Sequence, residues 1–407
     1  MTVITDRAGQ AHGASPVDFE AYGDYGDFSR GKAGARGQNG GAGGQPDGTP
    51  AASGQPDGTP AASGQPDGTP AASGQPDGKP AASGQPDGTP AASGQPTVAQ
   101  AAVPAKPVSE FVRAAYPFQG RITADGSSGY PAEAGRYHLY ISWACPWAQR
   151  TAIVRQLLGL ADVVSLSVVD PVRDGRGWAF REGPGHGLDP VNGFEFLREA
   201  YEATEPGYDG HISVPVLWDK QAGRIVSNNF PDITIDLDTQ FSRWADPDVQ
   251  LYPPELRPEI DEIAAAVYTA VNNGVYRCGF ARSQEAYHAA VTDLFAMLDQ
   301  LERRLAGQRY LVGSALTEAD VRLWVTLARF DSVYYSHFKT SIRRLTDYPS
   351  LWGYARDLYA RPGFRETTNF GHIKRHYFTT HPHINPTRII PDGPLLDWDS
   401  PHGRGAL

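Results

Sequence analysis

Cys145 lies in Ser142-Trp-Ala-Cys-Pro-Trp-Ala-Gln-Arg150, between an alternating apolar run and a stretch with helical spacing. Upstream, Tyr137, Leu139 and Ile141 alternate as a half-buried strand does; downstream, Ala148, Ala152, Ile153, Gln156 and Leu157 recur at the helical period. Pro146 suits a first helical position, where the missing N–H has no intrahelical partner to lose. The pattern puts Cys145 at a helix N-terminus. There, unpaired N–H groups and the positive end of the helix dipole favour thiolate over thiol, lowering a free pKa of about 8.5 by one to several units. The predicted chemistry is nucleophilic attack by that thiolate. Trp147 and Ala148 follow where a second cysteine would stand, so two-cysteine disulfide exchange at this turn is excluded.

The elements that must hold this cysteine follow in order. Val163–Val169 is a β-branched run expected to be a second strand, giving a βαβ unit with the intervening helix. Residues 170–210 form a long stretch rich in Gly and Asp that embeds Trp178, Phe180, Phe194 and Phe196, and a connection of that length is expected to lie over something. Val214-Pro-Val-Leu-Trp218 and Arg224-Ile-Val-Ser227 then read as a hairpin around Gly223. A proline inside such a strand must sit at an edge or be cis. From Pro254 onward the period becomes 3.6: Ile260, Ile263, Ala264, Val267, Tyr268 and Val271 form one stripe, and Val291, Leu294, Phe295, Leu298, Leu301 and Leu305 another. Thr317-Glu-Ala-Asp320 reads as a capping box with Asp in place of Glu or Gln. Strands followed by a run of helices predict an α/β domain and then an all-α domain.

The chain has 407 residues, with 45 Gly and 34 Pro concentrated towards the N-terminus. From Gly44 to Ser93 the decapeptide Gly-Gln-Pro-Asp-Gly-Thr-Pro-Ala-Ala-Ser occurs five times, with Lys79 the only substitution. It contains no Leu, Ile, Val or aromatic residue, so burial cannot offset about 1–2 kcal/mol of backbone ordering entropy per residue. A flexible spacer is expected; the period of ten rules out collagen, which needs Gly at every third position. The expected divisions are a mobile arm over 1–43, a disordered linker over 44–96, an extension over 97–135, an α/β domain over 136–245, an all-helical domain over 246–375 and a tail over 376–407. A net charge of −10 argues against nucleic-acid or anionic-membrane binding, and no run of about 18 apolar residues is present. Two cysteines and no basic-then-apolar leader predict a reducing, cytoplasmic location. Cys278 reads as packing. His372, His376, His381 and His383 lack acidic or cysteine partners beside them, and no metal site is expected.

Strand, Cys-Pro turn and helix in this order, with Ala144-Cys-Pro-Trp-Ala148, resemble the thioredoxin-like half of the xi-class glutathione transferases, the glutathionyl-hydroquinone reductases. Four further stretches resemble that class: Val271-Asn-Asn-Gly-Val-Tyr276, Phe330-Asp-Ser-Val-Tyr334, His372-Ile-Lys-Arg-His-Tyr377 and Gly177-Trp178. The resemblance spans about residues 118–401 and implies a thioredoxin-like domain followed by the all-α transferase domain, and by family habit a homodimer. It implies that Cys145 attacks the sulfur of a thiol–hydroquinone thioether, that Tyr276, Tyr334, Tyr377 and Trp178 line the quinol pocket, and that Val214 before Pro215 meets the bound thiol. Two departures stand out. Gln149 replaces a histidine common among relatives, and Ser227-Asn-Asn-Phe230 replaces the Ser-Asn-Glu-Ser whose last two residues hold the γ-glutamyl group. Asn229 carries no charge for an ammonium and Phe230 has no hydroxyl, so glutathione should bind poorly and a thiol without a free γ-glutamyl end, such as mycothiol, is expected instead. Two alternatives stay open: an omega-like general thioltransferase or dehydroascorbate reductase, and a non-catalytic binding module of the same fold.

Overall fold

The computed structural model describes residues 111, 113 and 115–407. The arm over 1–43, the repeat over 44–96 and the start of the extension lie outside the described residues. The α/β part comprises β1 (Tyr137–Ile141), α1 (Pro146–Leu157), β2 (Ser165–Val168), α2 (Arg198–Thr204), β3 (Val216–Asp219), β4 (Arg224–Ser227) and α3 (Phe230–Gln240). The sheet order is β2-β1-β3-β4, with β1 parallel to β2 and antiparallel to β3, and β3 antiparallel to β4. All five residues of β1 are buried, not only the alternating set. The cause is the 170–196 connection: Phe180 packs on Tyr140 and Phe194 on Trp218, closing a face that alternation alone would leave wet. The extension continues the sheet at its other edge, where the Gly120 N–H donates to the Val226 carbonyl and Asn228 N–H to that of Phe118.

The helical part comprises α4 (Arg257–Val267), α5 (Gly274–Gly279), α6 (Gln284–Gly307), α7 (Glu318–Arg329), α8 (Pro349–Tyr359) and α9 (Phe370–Thr380). Helix α9 runs through the boundary expected at 375, because Ile373, Tyr377 and Phe378 continue one buried face. Two places break the 3.6 period: Tyr268–Asn272 and Phe330–Tyr334 are π-helical turns, with Asn273 N–H on the Tyr268 carbonyl at 2.8 Å. Such turns are frequent at functional sites; the first ends four residues before Tyr276 and the second contains Tyr334. Among the described residues no helix is long and apolar enough to cross a membrane.

The start of α7 is fixed by Asp320. Its carboxylate accepts from the Leu311 and Thr317 N–H groups at 2.8 Å, from Thr317 Oγ1 at 3.0 Å and from Tyr354 Oη at 2.7 Å. One side chain thus ties the helix start to the preceding loop and to α8. Asp320→Ala would orphan these buried donors and is expected to lower the unfolding free energy by about 3–5 kcal/mol, read from urea denaturation.

Candidate active site

The N-cap of α1 is Cys145, with extended backbone and Pro146 following, as its sequence context requires. Its side chain is buried, and the thiol donates to the Val214 carbonyl at 3.5 Å. The Val214–Pro215 peptide is cis, and the Val214 carbonyl, two residues ahead of the start of β3, lies across from the helix start. Cys278 forms no disulfide and is buried, and burial pushes its thiol up to about 12. Of the two, only Cys145 sits where a thiolate is favoured.

Tyr276, Tyr334 and Tyr377 come from α5, the second π turn and α9, 101 residues apart at the extremes, yet their hydroxyls converge. Tyr377 Oη is 2.5 Å from Tyr276 Oη and 3.0 Å from Tyr334 Oη, and all three rings are fully buried. A chain of three phenols holds its protons in shared hydrogen bonds, so an added oxygen acceptor can be met by polarised donors. Phe338 supports the cluster, lying 5.3 Å from Tyr276 and 5.4 Å from Tyr334. It fits against α5 only because residue 279 is glycine, since a Cβ there would stand 2.3 Å from the Phe338 ring. Trp147, two residues after the cysteine, stacks at 6.0 Å on Tyr276 and at 4.8 Å on Phe230, linking the nucleophile's helix to the tyrosine wall.

Trp178 is buried through contacts with other protein groups: His376 stacks on it at 5.1 Å and the Arg173 guanidinium lies 4.6 Å from the ring centre. It adjoins the tyrosines through His376, the neighbour of Tyr377 in α9. The His376 Nδ1–H donates to the Pro171 carbonyl at 2.8 Å and the His372 Nε2–H to that of Pro184 at 2.7 Å, so α9 pins both ends of the loop that carries Trp178. Among the described residues no group of three or more His, Cys, Asp or Glu is placed to hold a metal ion.

At the start of α3, Asn229 is the N-cap residue and its amide donates to Asp232 at 2.7 Å; Phe230 is sandwiched between Trp147 and the edge of Tyr116. Asp232 itself pairs with Arg121 at 3.2 Å. Beside these residues lies a cavity of about 480 Å³ reached by Arg113, Gln119, Arg150, Asp261, Tyr268 and Arg322.

Two features were missed by sequence reasoning. Arg329, the last residue of α7, is fully buried and reaches across to the cysteine turn, donating to the carbonyls of Trp143 at 2.9 Å and Ala144 at 3.0 Å. Gln149, on the first turn of α1, accepts from Arg329 at 2.6 Å and donates to the Thr367 carbonyl and Thr368 Oγ1. The second feature is the extension: Phe111 stacks on Tyr276 at 6.0 Å and Arg113 lies 4.6 Å over Trp147.

The histidines behind Tyr377 make the site acid-sensitive. His337 Nε2 meets His381 Nδ1 at 3.0 Å in a buried pair. Burial lowers His337 to about 3 and His381 well below the usual imidazole value. A folded-state pKa below the unfolded value of about 6.5 means the neutral form is the one the fold holds, so this contribution is complete above about pH 6.5 and is lost as pH falls towards 3. Stability should fall on acidification from pH 7 to 5 by up to about 1.4 kcal/mol per pH unit per histidine, and His337→Phe should flatten that slope in urea titrations.

Comparison with known proteins places this geometry. Residues 284–357 match the family description "Glutathione S-transferase, C-terminal domain". The glutathionyl-hydroquinone reductase YqjG of Escherichia coli is 48% identical over 302 residues, covering 72% of this chain and 92% of that protein. Its glutathione-bound structure superposes with a TM-score of 0.70, covering 71% of this chain and 96% of that one. A glutathione transferase from Gordonia bronchialis is 54% identical with a TM-score of 0.69 over 71% and 90% of the two chains. The xi-class transferase of Phanerochaete chrysosporium is 47% identical with a TM-score of 0.69 over 70% and 93%. With a cysteine at a helix start, an adjoining cluster of phenols and these likenesses, the chain belongs to the xi-class glutathione transferases, the glutathionyl-hydroquinone reductase family.

Proposed function

We propose that this protein reduces thiol-conjugated hydroquinones through a mixed disulfide on Cys145. The observation that carries the reading is the convergence of Tyr276, Tyr334 and Tyr377 hydroxyls within 3.0 Å steps beside the helix that starts at Cys145. Attack of the Cys145 thiolate on the thioether sulfur forms an S–S bond and breaks the C–S bond. Expelling an aryl carbanion is prohibitive, but in the keto tautomer of the conjugate the departing electron pair collapses onto the ring oxygen and restores the aromatic ring as a phenolate. Phenolic donors aimed at that oxygen stabilise the charge where it develops. A second thiol molecule, as its thiolate, then attacks the mixed disulfide, releasing a symmetrical disulfide and the Cys145 thiolate. A general thioltransferase needs no oxyanion donors, and a binding module needs no cysteine at the helix start.

The thiol is the finer question. The glutathione-bound relative from E. coli favours glutathione. The residues at the start of α3 favour another thiol: Asn229 is neutral and engaged with Asp232, Phe230 offers no hydroxyl, and Arg121 occupies Asp232. Losing one charge-assisted hydrogen bond costs about 1.5–3 kcal/mol. The neighbouring cavity joins planar polar groups (Arg113, Gln119, Arg150, Asp261, Arg322) to the faces of Phe230 and Tyr268, a lining suited to a hydroxyl-rich sugar. We therefore take mycothiol, a sugar-capped cysteine, as the preferred thiol.

Intact-protein mass spectrometry after one turnover with a hydroquinone conjugated to each thiol checks both parts. The expected result is a mycothiol adduct on Cys145, a much weaker glutathione adduct and none in Cys145→Ser. Equal labelling by glutathione would overturn the thiol assignment, and no labelling by either would overturn the reaction. Tyr377→Phe removes the central hydroxyl. It should lower kcat for the hydroquinone conjugate by about 100-fold or more, yet leave exchange with a simple mixed disulfide nearly unchanged; equal losses on both would return the general thioltransferase to the front.

A further inference from the structure

A buried guanidinium is ordinarily paired with a carboxylate, since an isolated charge removed from water costs several kcal/mol. Arg329 is fully buried, and every one of its hydrogen bonds ends on a neutral oxygen: the Trp143, Ala144 and Val325 carbonyls and Gln149 Oε1. No ion pair among the described residues includes it. Carbonyl dipoles solvate a unit positive charge but do not cancel it. Two of these acceptors are the carbonyls one and two residues ahead of Cys145, and a third is the side chain four residues after it. The segment Arg329 grips contains one ionisable acid, the thiol.

We infer that Arg329 is the counter-charge that holds Cys145 as a thiolate and, by its two carbonyl bonds, the positioning residue that aims the sulfur. The inference deepens the proposed function, resting on Cys145 as the nucleophile but on no particular thiol or hydroquinone. The other charged groups packed around this turn bond to atoms outside the cysteine segment, Arg113, which lies over Trp147, donating to Asn273 Oδ1 at 3.4 Å. Glu318 and Arg322 pair with each other near the start of α7. The Arg150 guanidinium donates to Asn272 Oδ1 at 2.7 Å and lies over Trp147. Arg173 lies over Trp178. Asp331 accepts from the Leu345 and Thr346 N–H groups. His376 is kept neutral by burial first, with Arg173 and Arg329 adding to the cost of its protonated form, so it supplies no competing charge. The helix-terminus effect on the thiol falls off within a turn and is worth about 0.3–1 kcal/mol for an exposed charge, whereas a guanidinium in this dry setting acts at lower dielectric.

Gln149 acquires a reason on this view. A carboxylate there would neutralise Arg329, while the amide accepts its N–H without a charge and still donates to α9's leading loop.

The test is the pH dependence of Cys145 alkylation by iodoacetamide, followed by peptide mass so that Cys278 is counted separately. It needs no hydroquinone and no particular thiol, so its failure is distinct from failure of the proposed reaction. Wild-type protein should alkylate with a midpoint well below the ordinary thiol value of about 8.5. Arg329→Met should raise that midpoint by about one unit or more, and Arg329→Lys, which keeps the charge but not the fork, should stay closer to wild type. Should Arg329→Met fail to fold, Gln149→Glu decides: it keeps the guanidinium and both carbonyl bonds but supplies a carboxylate, and should raise the midpoint comparably. A purely structural arginine would change melting temperature without moving the midpoint. An unchanged midpoint in folded Arg329→Met or in Gln149→Glu, or an equal rise in the Lys and Met variants, overturns the inference.

Discussion

The contact between Arg329 and the two carbonyls ahead of Cys145 is the constraint on which the rest of the site depends. It joins the last turn of α7, in the helical domain, to the strand-to-helix turn of the sheet domain. From within its own domain the turn between β1 and α1 is held by the Ser142 hydroxyl under the Ala144 N–H, by the Trp143 indole N–H on the Gly185 carbonyl and by the Cys145 thiol on the Val214 carbonyl, and Arg329 adds the hold from the helical domain. A guanidinium fork binding adjacent carbonyls fixes orientation as well as distance, which is a task a lysine's point charge does less well. Burying such a group carries a desolvation cost that no carboxylate offsets here, and sites that retain such costs are commonly ones where the charge has work to do.

Around that contact the structure is built from aromatic surfaces, and their order is informative. Phe230, Trp147, Tyr276 and Phe111 form a continuous stack from the start of α3 to the extension. Tyr276 then passes the chain to Tyr334 and Tyr377 through their hydroxyls. Aromatic pairs at these spacings contribute about 0.5–1.5 kcal/mol each beyond their area, so the start of α3 and the tyrosine cluster are mechanically coupled. Replacing the usual serine by Phe230 therefore changes more than a hydroxyl. It inserts a ring into the stack that supports the tyrosines.

The departures of this chain from its relatives are consistent with one another. Gln149 meets Arg329 with a neutral amide oxygen. Asn229, with Asp232 committed to Arg121, leaves the α3 terminus without a free carboxylate. Both changes replace titratable groups by neutral amides near the cysteine, so the electrostatics of the site rest on the buried arginine and the helix terminus.

What the sequence determined by itself was whatever is written locally. The β1–Cys145–α1 junction, the hairpin around Gly223, the Val214–Pro215 element and the Thr317–Asp320 cap all follow from period, proline and short-range hydrogen bonding, whose partners lie within a few residues. The family motifs added the three tyrosines as a group. Only the tertiary structure decided what depends on distant pairings. Arg329 bonds to residues about 180 positions away, and nothing in its own helix marks it as more than one of many arginines. The second buried face of β1 needs a loop that follows it by some 40 residues. The π turns at Tyr268 and Phe330 are also invisible to a 3.6-residue pattern, because each adds one residue to a turn to suit neighbouring helices. Hydrophobic period records which face is dry. It does not record which buried polar group meets which, and in this protein that pairing brings Arg329 to the turn that carries Cys145.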